Sequence, residues 1–255
     1  MQLAMQRTIL YAALVVATAA AWFVAVWQSA GASLASPYLT QALCGNGVWN
    51  AADVVACFVM WMGMMVAMML PATAPTAEAF ATITRRRRAR GQPYTPTFVF
   101  IAGYCLAWGG FGAAATLAQW LIYRGAGTAP TPTSATPLFA GAALLVAGLY
   151  QFTPLKRACL QGCRGPLAFI IAEWREGHSG ALIMGLRHGL ICVGCCWAVL
   201  ALMFCVSVMD LRWAAALAIY AAVEKLMPGG DSIVAPAFGS AAIVGGVALL
   251  AMCFF

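Results

Sequence analysis

The residues best suited to chemistry in this sequence fall within the segment 184–197, which contains methionine, histidine and three cysteines. Four positions follow one another at steps of three or four residues: Met184, His188, Cys192 and either Cys195 or Cys196. Such steps place side chains on one face of an α-helix. Thioether, imidazole and thiol groups are soft metal ligands, so the spacing predicts a metal site. Packing stays open as an alternative, because most buried cysteines only pack.

A second group with the same chemistry is the run of methionines in segment 60–69, where six of ten residues are Met. They form two stripes at helical spacing: Met60, Met64 and Met68, and Met62, Met65 and Met69. Methionine fills irregular gaps in helix packing, which leaves a purely structural role open. Thioethers bind Cu(I) better than harder cations, so Met64 and Met68 are predicted as weak copper partners.

A pair of cysteines, Cys159 and Cys163, lies four residues apart beside the basic residues Lys156 and Arg164. On one helical turn the two thiols would face the same side. We expect them at the cytoplasmic border, where a permanent disulfide is not favoured and the pair would collect a metal ion.

The elements that must position these residues are membrane helices. The chain has 255 residues, of which 64% are hydrophobic and only 8% charged. A soluble fold could not cover this much apolar surface with so few charges. We therefore predict an all-α, polytopic membrane helical bundle in which residues 1–255 form one integral membrane domain. Seven apolar segments are predicted as spans, near 9–28, 51–70, 97–121, 136–153, 182–206, 212–226 and 233–254.

The basic residues predict how the bundle is oriented. Arginines cluster in the loop after the second span, and lysine and arginine recur in the loop after the fourth. By the positive-inside rule these loops are cytoplasmic, which places the N-terminus in the cytoplasm and the C-terminus outside a bacterial inner membrane. The arginine run 85–90 is interpreted as this topology signal, so no nucleic-acid partner is expected. The first span is expected to be a retained anchor, with cleavage as the alternative.

With this topology the soft ligands gather in the cytoplasmic half of the bundle, and Cys159 and Cys163 lie just below His188 and Cys192. The segment 71–96 is expected to be an exposed polar loop. Arg187 and Glu224 approach the same membrane face, so an ion pair between them is predicted, because an unpaired charge within the bilayer is costly.

The sequence resembles a family of uncharacterised bacterial proteins described as predicted metal-binding integral membrane proteins. The resemblance implies metal binding in a membrane protein, without naming the metal or the reaction. It covers residues 60–227 and is carried by blocks 61–71, 150–166 and 185–197, followed by Met209 and Glu224-Lys225.

The function that these patterns favour is binding of a soft transition metal, Cu(I) above all with zinc as the alternative, for transport or delivery. The predicted ligands are His188, Cys192, Cys195, Cys196, Cys159, Cys163, Met64 and Met68. Two other functions stay open: a membrane thiol-redox protein, and an assembly subunit whose sulfur residues only pack. Nucleotide-binding and hydrolase motifs are absent from the sequence, so an enzyme is not the expected class. The expected partners are the lipid bilayer, the metal ion, and a small protein or a second copy of this chain.

Overall fold

The computed structural model describes residues 2–33, 50–126, 137–205, 211–227 and 229–254. Within these ranges the regular structure is helical and there is no strand, which confirms the predicted all-α class for this part of the chain. The helices are α1 Gln2–Ser33, α2 Ala51–Met69, α3 Ala74–Ala89, α4 Thr97–Ala126, α5 Pro137–Tyr150, α6 Pro154–Arg164, α7 Pro166–Glu173, α8 Gly177–Ala201, α9 Leu211–Leu226 and α10 Ala235–Phe254. Short 3₁₀ turns follow α2 and α8, and the π-helical turn Gly230–Val234 precedes α10.

Five of these helices are long and apolar enough to cross a membrane, and a sixth span results if the bent pair α5–α6 counts as one. The five segments are Thr8–Trp27, Ala51–Met69, Thr97–Ile122, Gly177–Phe204 and Gly230–Cys253. The predicted count of seven is therefore not confirmed. Its fourth member, 136–153, contains the 14 residues of α5, and its sixth, 212–226, lies within the 16 residues of α9.

The ends of α2 follow from local chemistry. Asn50 accepts a hydrogen bond from the backbone of Asp53, and the Asp53 carboxylate accepts one from the backbone of Asn50, a capping box. At the other end, Pro71 begins the 3₁₀ turn and Pro75 is the second residue of α3. Proline is tolerated in a first turn, so the two prolines separate helices without ending helical structure.

The prediction of an exposed polar loop over 71–96 was wrong, because residues 74–89 form helix α3. The inner side of α3 buries Ala77, Phe80 and Thr84, and the Phe80 ring stacks on Phe100 of α4. The arginines of the last turn lie toward solvent at the end of this helix, whereas Thr76 and Thr84 are buried with the apolar residues.

The closest helix contact joins α4 and α8 and depends on glycine. A Cβ atom at Gly103 would lie 2.1 Å from the Leu182 carbonyl oxygen, and one at Gly185 would lie 1.9 Å from the Phe100 carbonyl oxygen. No side chain fits in either space, so the two backbones pack directly against each other, as small residues allow in membrane helices.

Glycine has the same role between α5 and α10, where Gly148 lies against the Gly239 carbonyl oxygen. The contact face of α10 contains Gly239 and Gly246, which both lie against the backbone of α5.

A break of 65° separates α5 from α6. Thr153 satisfies backbone groups on both sides of it, because its hydroxyl donates to the Tyr150 carbonyl and accepts from the Lys156 amide. With these groups paired, the chain can bend within apolar surroundings and bring α6 across α8.

Candidate metal centre

Three thiols meet where α6 crosses α8. The sulfurs of Cys163, Cys192 and Cys195 all lie within 4.8 Å of one another, and we refer to these three residues as the thiol triad. The Sγ atoms of Cys163 and Cys195 are 3.7 Å apart. Cys192 and Cys195 are almost completely buried. The triad therefore joins one ligand from α6 to two from α8.

The spacing of the triad suits a bound metal ion. Thiolate–metal bonds of about 2.3 Å place two sulfurs of a trigonal or tetrahedral site about 3.8–4.0 Å apart. The contact between Cys163 and Cys195 is within a few tenths of an ångström of that separation. Three soft donors suit Cu(I), which accepts low coordination, better than a structural zinc ion, which takes four ligands.

Glycine residues allow α6 to come this close to α8. A Cβ atom at Gly194 would lie 2.8 Å from the Cys159 sulfur, and one at Gly162 would lie 3.0 Å from the Ile191 side chain. Cys159 therefore packs on the backbone of α8 at Gly194, next to the triad but outside it.

Cys196 lies beside the triad, with its sulfur 3.4 Å from that of Cys195. It is almost fully buried and lines a narrow crevice between α8 and α9 together with Met69 and Glu224. The structure thus gathers four of the predicted ligands, the triad and Cys196, at one place.

One methionine outside the predicted ligand set shares a polar partner with the thiols. Met64 and Met68 are buried in the same apolar cluster as Cys192, Cys195 and Cys196. The sulfur tied to the thiols through a shared polar partner is instead that of Met69, which lies 3.6 Å from the Lys225 ammonium. The assignment of Met64 and Met68 as metal partners stays a prediction.

His188 lies one helical turn before Cys192, outside the triad. Its ring packs among aromatic rings, with centroids 4.9 Å from Phe169, 5.8 Å from Tyr104 and 6.0 Å from Phe100. Its Nδ1 atom is buried and has no hydrogen-bond partner among the described residues. A buried polar atom of this kind is costly unless an ion or water pairs with it, so His188 remains a candidate ligand.

Two polar side chains reach the Cys192 sulfur. The Lys225 ammonium donates to it at 2.9 Å, and the Tyr104 hydroxyl lies 3.2 Å away. The same hydroxyl donates to the Met69 carbonyl oxygen at 2.9 Å. Helices α4 and α9 thus each contribute a polar side chain to this sulfur, and α2 accepts a hydrogen bond from the one that α4 contributes.

A second buried network lies behind Cys195. Lys156 of α6 donates to the Glu224 carboxylate at 2.7 Å and to the Cys195 carbonyl oxygen at 2.6 Å. The Tyr220 hydroxyl donates to the other carboxylate oxygen at 2.7 Å. Lys156 and Glu224 are both almost completely buried, so each charge depends on the other.

The predicted ion pair between Arg187 and Glu224 was wrong. Arg187 pairs with Glu173 of α7, whereas Glu224 pairs with Lys156. The sequence suggested that the charges were at similar depth, but it did not show that Lys156 of α6 lies against Glu224. Lys156 and Lys225 were missed as site residues for the same reason, although the family resemblance already contained both.

The position of the triad along α8 can be compared with the predicted location of the ligands in the cytoplasmic half of the membrane. The apolar stretch Gly177–Phe204 has its midpoint near residue 190, and the triad residues Cys192 and Cys195 follow that midpoint. Cys159 and Cys163 were expected below His188 and Cys192, but they lie beside residues 194 and 195. Location in the cytoplasmic half stays a prediction without support from this geometry.

Two helices of this protein cross at a buried group of thiols. This site has the chemistry of the class of metal-binding proteins. The chain matches the family model PpoB2, described as a copper chaperone, over residues 58–249. That range contains every described residue of the site. The protein therefore belongs to the PpoB2 copper chaperone family.

Other comparisons add nothing to this assignment: no curated protein and no solved structure matches the chain. The resemblance to a metal-binding family is supported by the family model, which also supports copper as the metal and gives no support to zinc.

Proposed function

We propose that this protein is a membrane-embedded copper chaperone that holds one Cu(I) ion, as cargo, between the sulfurs of Cys163, Cys192 and Cys195. The observation that carries the proposal is the mutual approach of these three sulfurs within 4.8 Å, from two helices that only a bend in the chain brings together. Membership of a copper chaperone family supports the choice of metal.

The membrane setting is supported by the five helices of sufficient length and apolar character. The large apolar side chains left exposed on α1, such as Phe23 and Trp27, suit contact with lipid. We propose the bacterial inner membrane, with the N-terminus in the cytoplasm and the C-terminus outside, on the distribution of basic residues. The ion would then be bound near the middle of the span formed by α8.

The other predicted ligands would assist the triad. Cys196 is in sulfur contact with Cys195, and His188 lies one turn before Cys192 on α8. Such neighbours permit a soft ion to move from ligand to ligand, which a closed four-ligand site would prevent. Cys159, Met64 and Met68 line the surroundings of the site and are proposed as weaker partners during this movement.

Delivery requires a recipient, and we propose a small protein partner or a second copy of this chain in that role. Transport across the membrane is the other use of the same site. The function as chaperone is supported by the family description.

The decisive test compares two triple variants that each lose three thiols. In the triad variant, Cys163, Cys192 and Cys195 are changed to Ser. In the matched control, three other described cysteines away from the triad are changed to Ser, namely Cys105, Cys205 and Cys253. Detergent-purified proteins are loaded with Cu(I) without oxygen, desalted and submitted to elemental analysis. We expect near-stoichiometric copper in the wild type and the control, and its loss in the triad variant.

Circular dichroism and gel filtration of both variants show whether loss of copper occurs without loss of fold. Equal copper in the triad variant and the control would refute the proposed site. Absence of copper from the wild type, together with fewer alkylatable thiols after oxidation, would instead favour a thiol-redox protein that uses the 3.7 Å contact of Cys163 and Cys195.

A further inference from the structure

The ammonium group of Lys225 is buried among sulfur atoms. Lys225 is about 5% exposed, and its Nζ lies 2.9 Å from the Cys192 sulfur and 3.6 Å from the Met69 sulfur. An ammonium withdrawn from water is costly unless another group balances its charge. The positive charge of the Lys225 ammonium therefore requires a compensating negative charge nearby.

Glu224, the residue next to Lys225, does not have that role. One oxygen of its carboxylate accepts from Lys156 and the other accepts from Tyr220, each at 2.7 Å. Glu224 is the one fully buried acidic residue in the described ranges. Lys156 and Glu224 therefore cancel, and Lys225 leaves one positive charge beside the triad.

Tyr104 shows how the Cys192 sulfur would acquire a compensating charge. The tyrosine hydroxyl hydrogen is donated to the Met69 carbonyl, so the thiol hydrogen is the donor in the 3.2 Å contact of Cys192 with Tyr104. When a Cu(I) ion binds this sulfur, the S–H bond breaks, its proton is released to solvent, and the sulfur binds the ion as a thiolate. The ammonium at 2.9 Å already faces that sulfur.

We propose that Lys225 is the counter-charge of the bound ion: it balances the single negative charge of one Cu(I) held by two thiolates, and so stabilises that complex in this buried site. The inference rests on the proposed function of the triad. One Cu(I) with two thiolates carries a charge of −1, which matches one ammonium, and the third thiol remains neutral. Cu(I) with all three triad sulfurs as thiolates would carry −2 and would leave one negative charge uncompensated.

The test separates the charge of Lys225 from its hydrogen bond and its bulk. Lys225→Gln keeps a donor without the charge, Lys225→Leu keeps apolar bulk without adding a sulfur ligand, and Lys225→Arg keeps the charge. Arg187→Met is the matched control, since it removes a positive charge of α8 that pairs with Glu173 away from the thiols. Cu(I) affinity is measured by competition with bathocuproine disulfonate on the purified full chain.

We expect the Gln and Leu variants to bind Cu(I) about tenfold more weakly or worse, as loss of a charged partner predicts. The Arg variant and the Arg187→Met control should stay close to the wild type. Recovery by Arg but not by Gln is a result that a merely structural lysine would not give. If the Leu variant does not fold, the comparison of Gln with Arg decides the question alone.

Wild-type affinity in a folded Gln variant would overturn the role of Lys225. In that case loss of copper from the triad variant would still support the proposed function. Retention of copper by the triad variant would refute the proposed function itself, so the two failures are distinguishable.

Discussion

The two halves of α8 present the same stripe of the helix to the interior but use it differently. In the first half, glycines such as Gly185 place the backbone of α8 in direct contact with the backbone of α4. In the second half, the stripe carries the thiols of Cys192 and Cys195. A lysine of α6 donates to the Cys195 carbonyl oxygen, and a lysine of α9 donates to the Cys192 sulfur. The first half thus fixes where α8 lies, and the second half uses that fixed position to hold sulfur atoms at metal-binding distances.

In the first half of α8, we expect that a glycine in contact with the backbone of α4 cannot be replaced by a larger residue without loss of stability. Gly185→Ala would place a methyl group 1.9 Å from the Phe100 carbonyl oxygen, so the backbones must separate. We expect destabilisation of about 3 kcal/mol or more and loss of copper binding together. Thermal unfolding in detergent and copper content measure the two effects.

Gly63→Ala on α2 is the matched substitution, because nothing lies within 4 Å of its added methyl group. It should change stability by about 1 kcal/mol at most, in the favourable direction. Equal unfolding temperatures for the Gly185 and Gly63 variants would show that the tight contact of α4 and α8 does not fix the site.

Around the second half of α8, stability should depend on paired charges rather than on close backbone contact. Glu224→Met leaves Lys156 buried without its partner, and we expect a loss of about 3–5 kcal/mol. The double variant Lys156→Met with Glu224→Met removes both charges and should recover at least half of that loss. Thermal unfolding of the two variants measures the coupling, and a double variant no more stable than the single one would contradict it.

The smallest effect is expected on the buried methionine stripe of α2. Met64→Leu and Met68→Leu conserve volume, so each should cost less than about 1.5 kcal/mol. Because their sulfurs belong to the apolar surroundings of the triad, copper affinity should stay within about threefold of the wild type. A larger loss in the bathocuproine competition would place either thioether among the direct ligands.

Local periodicity was sufficient to predict the parts of the molecule that a single helix determines. The segment 51–70 forms α2 within one residue, and the face with His188 and Cys192 is buried as its spacing predicts. The helical spacing of Met64 and Met68 is real as well. None of this required knowledge of which helices are neighbours.

The contacts between helices could not be predicted in the same way. Cys163 meets Cys195 because the chain bends by 65° after Tyr150, and the spacing of cysteines carries no record of that bend. The partner of Glu224 depends on the position of α6, which is why a pairing with Arg187 was expected instead. The signal that was available is the occurrence of lysine and glutamate in apolar segments, where charges require partners from other helices.

The place of the triad along α8 sets the distance over which a delivered ion must travel. Cys192 is fifteen residues after Gly177, which is about 23 Å along the helix axis. A recipient protein that docked at that end of α8 would therefore stand away from the sulfurs by about three-quarters of the thickness of a bilayer's hydrocarbon core. Handover at that end must then proceed through the interior of the helix bundle, by successive internal exchanges, rather than by direct contact between a recipient's surface ligand and the triad.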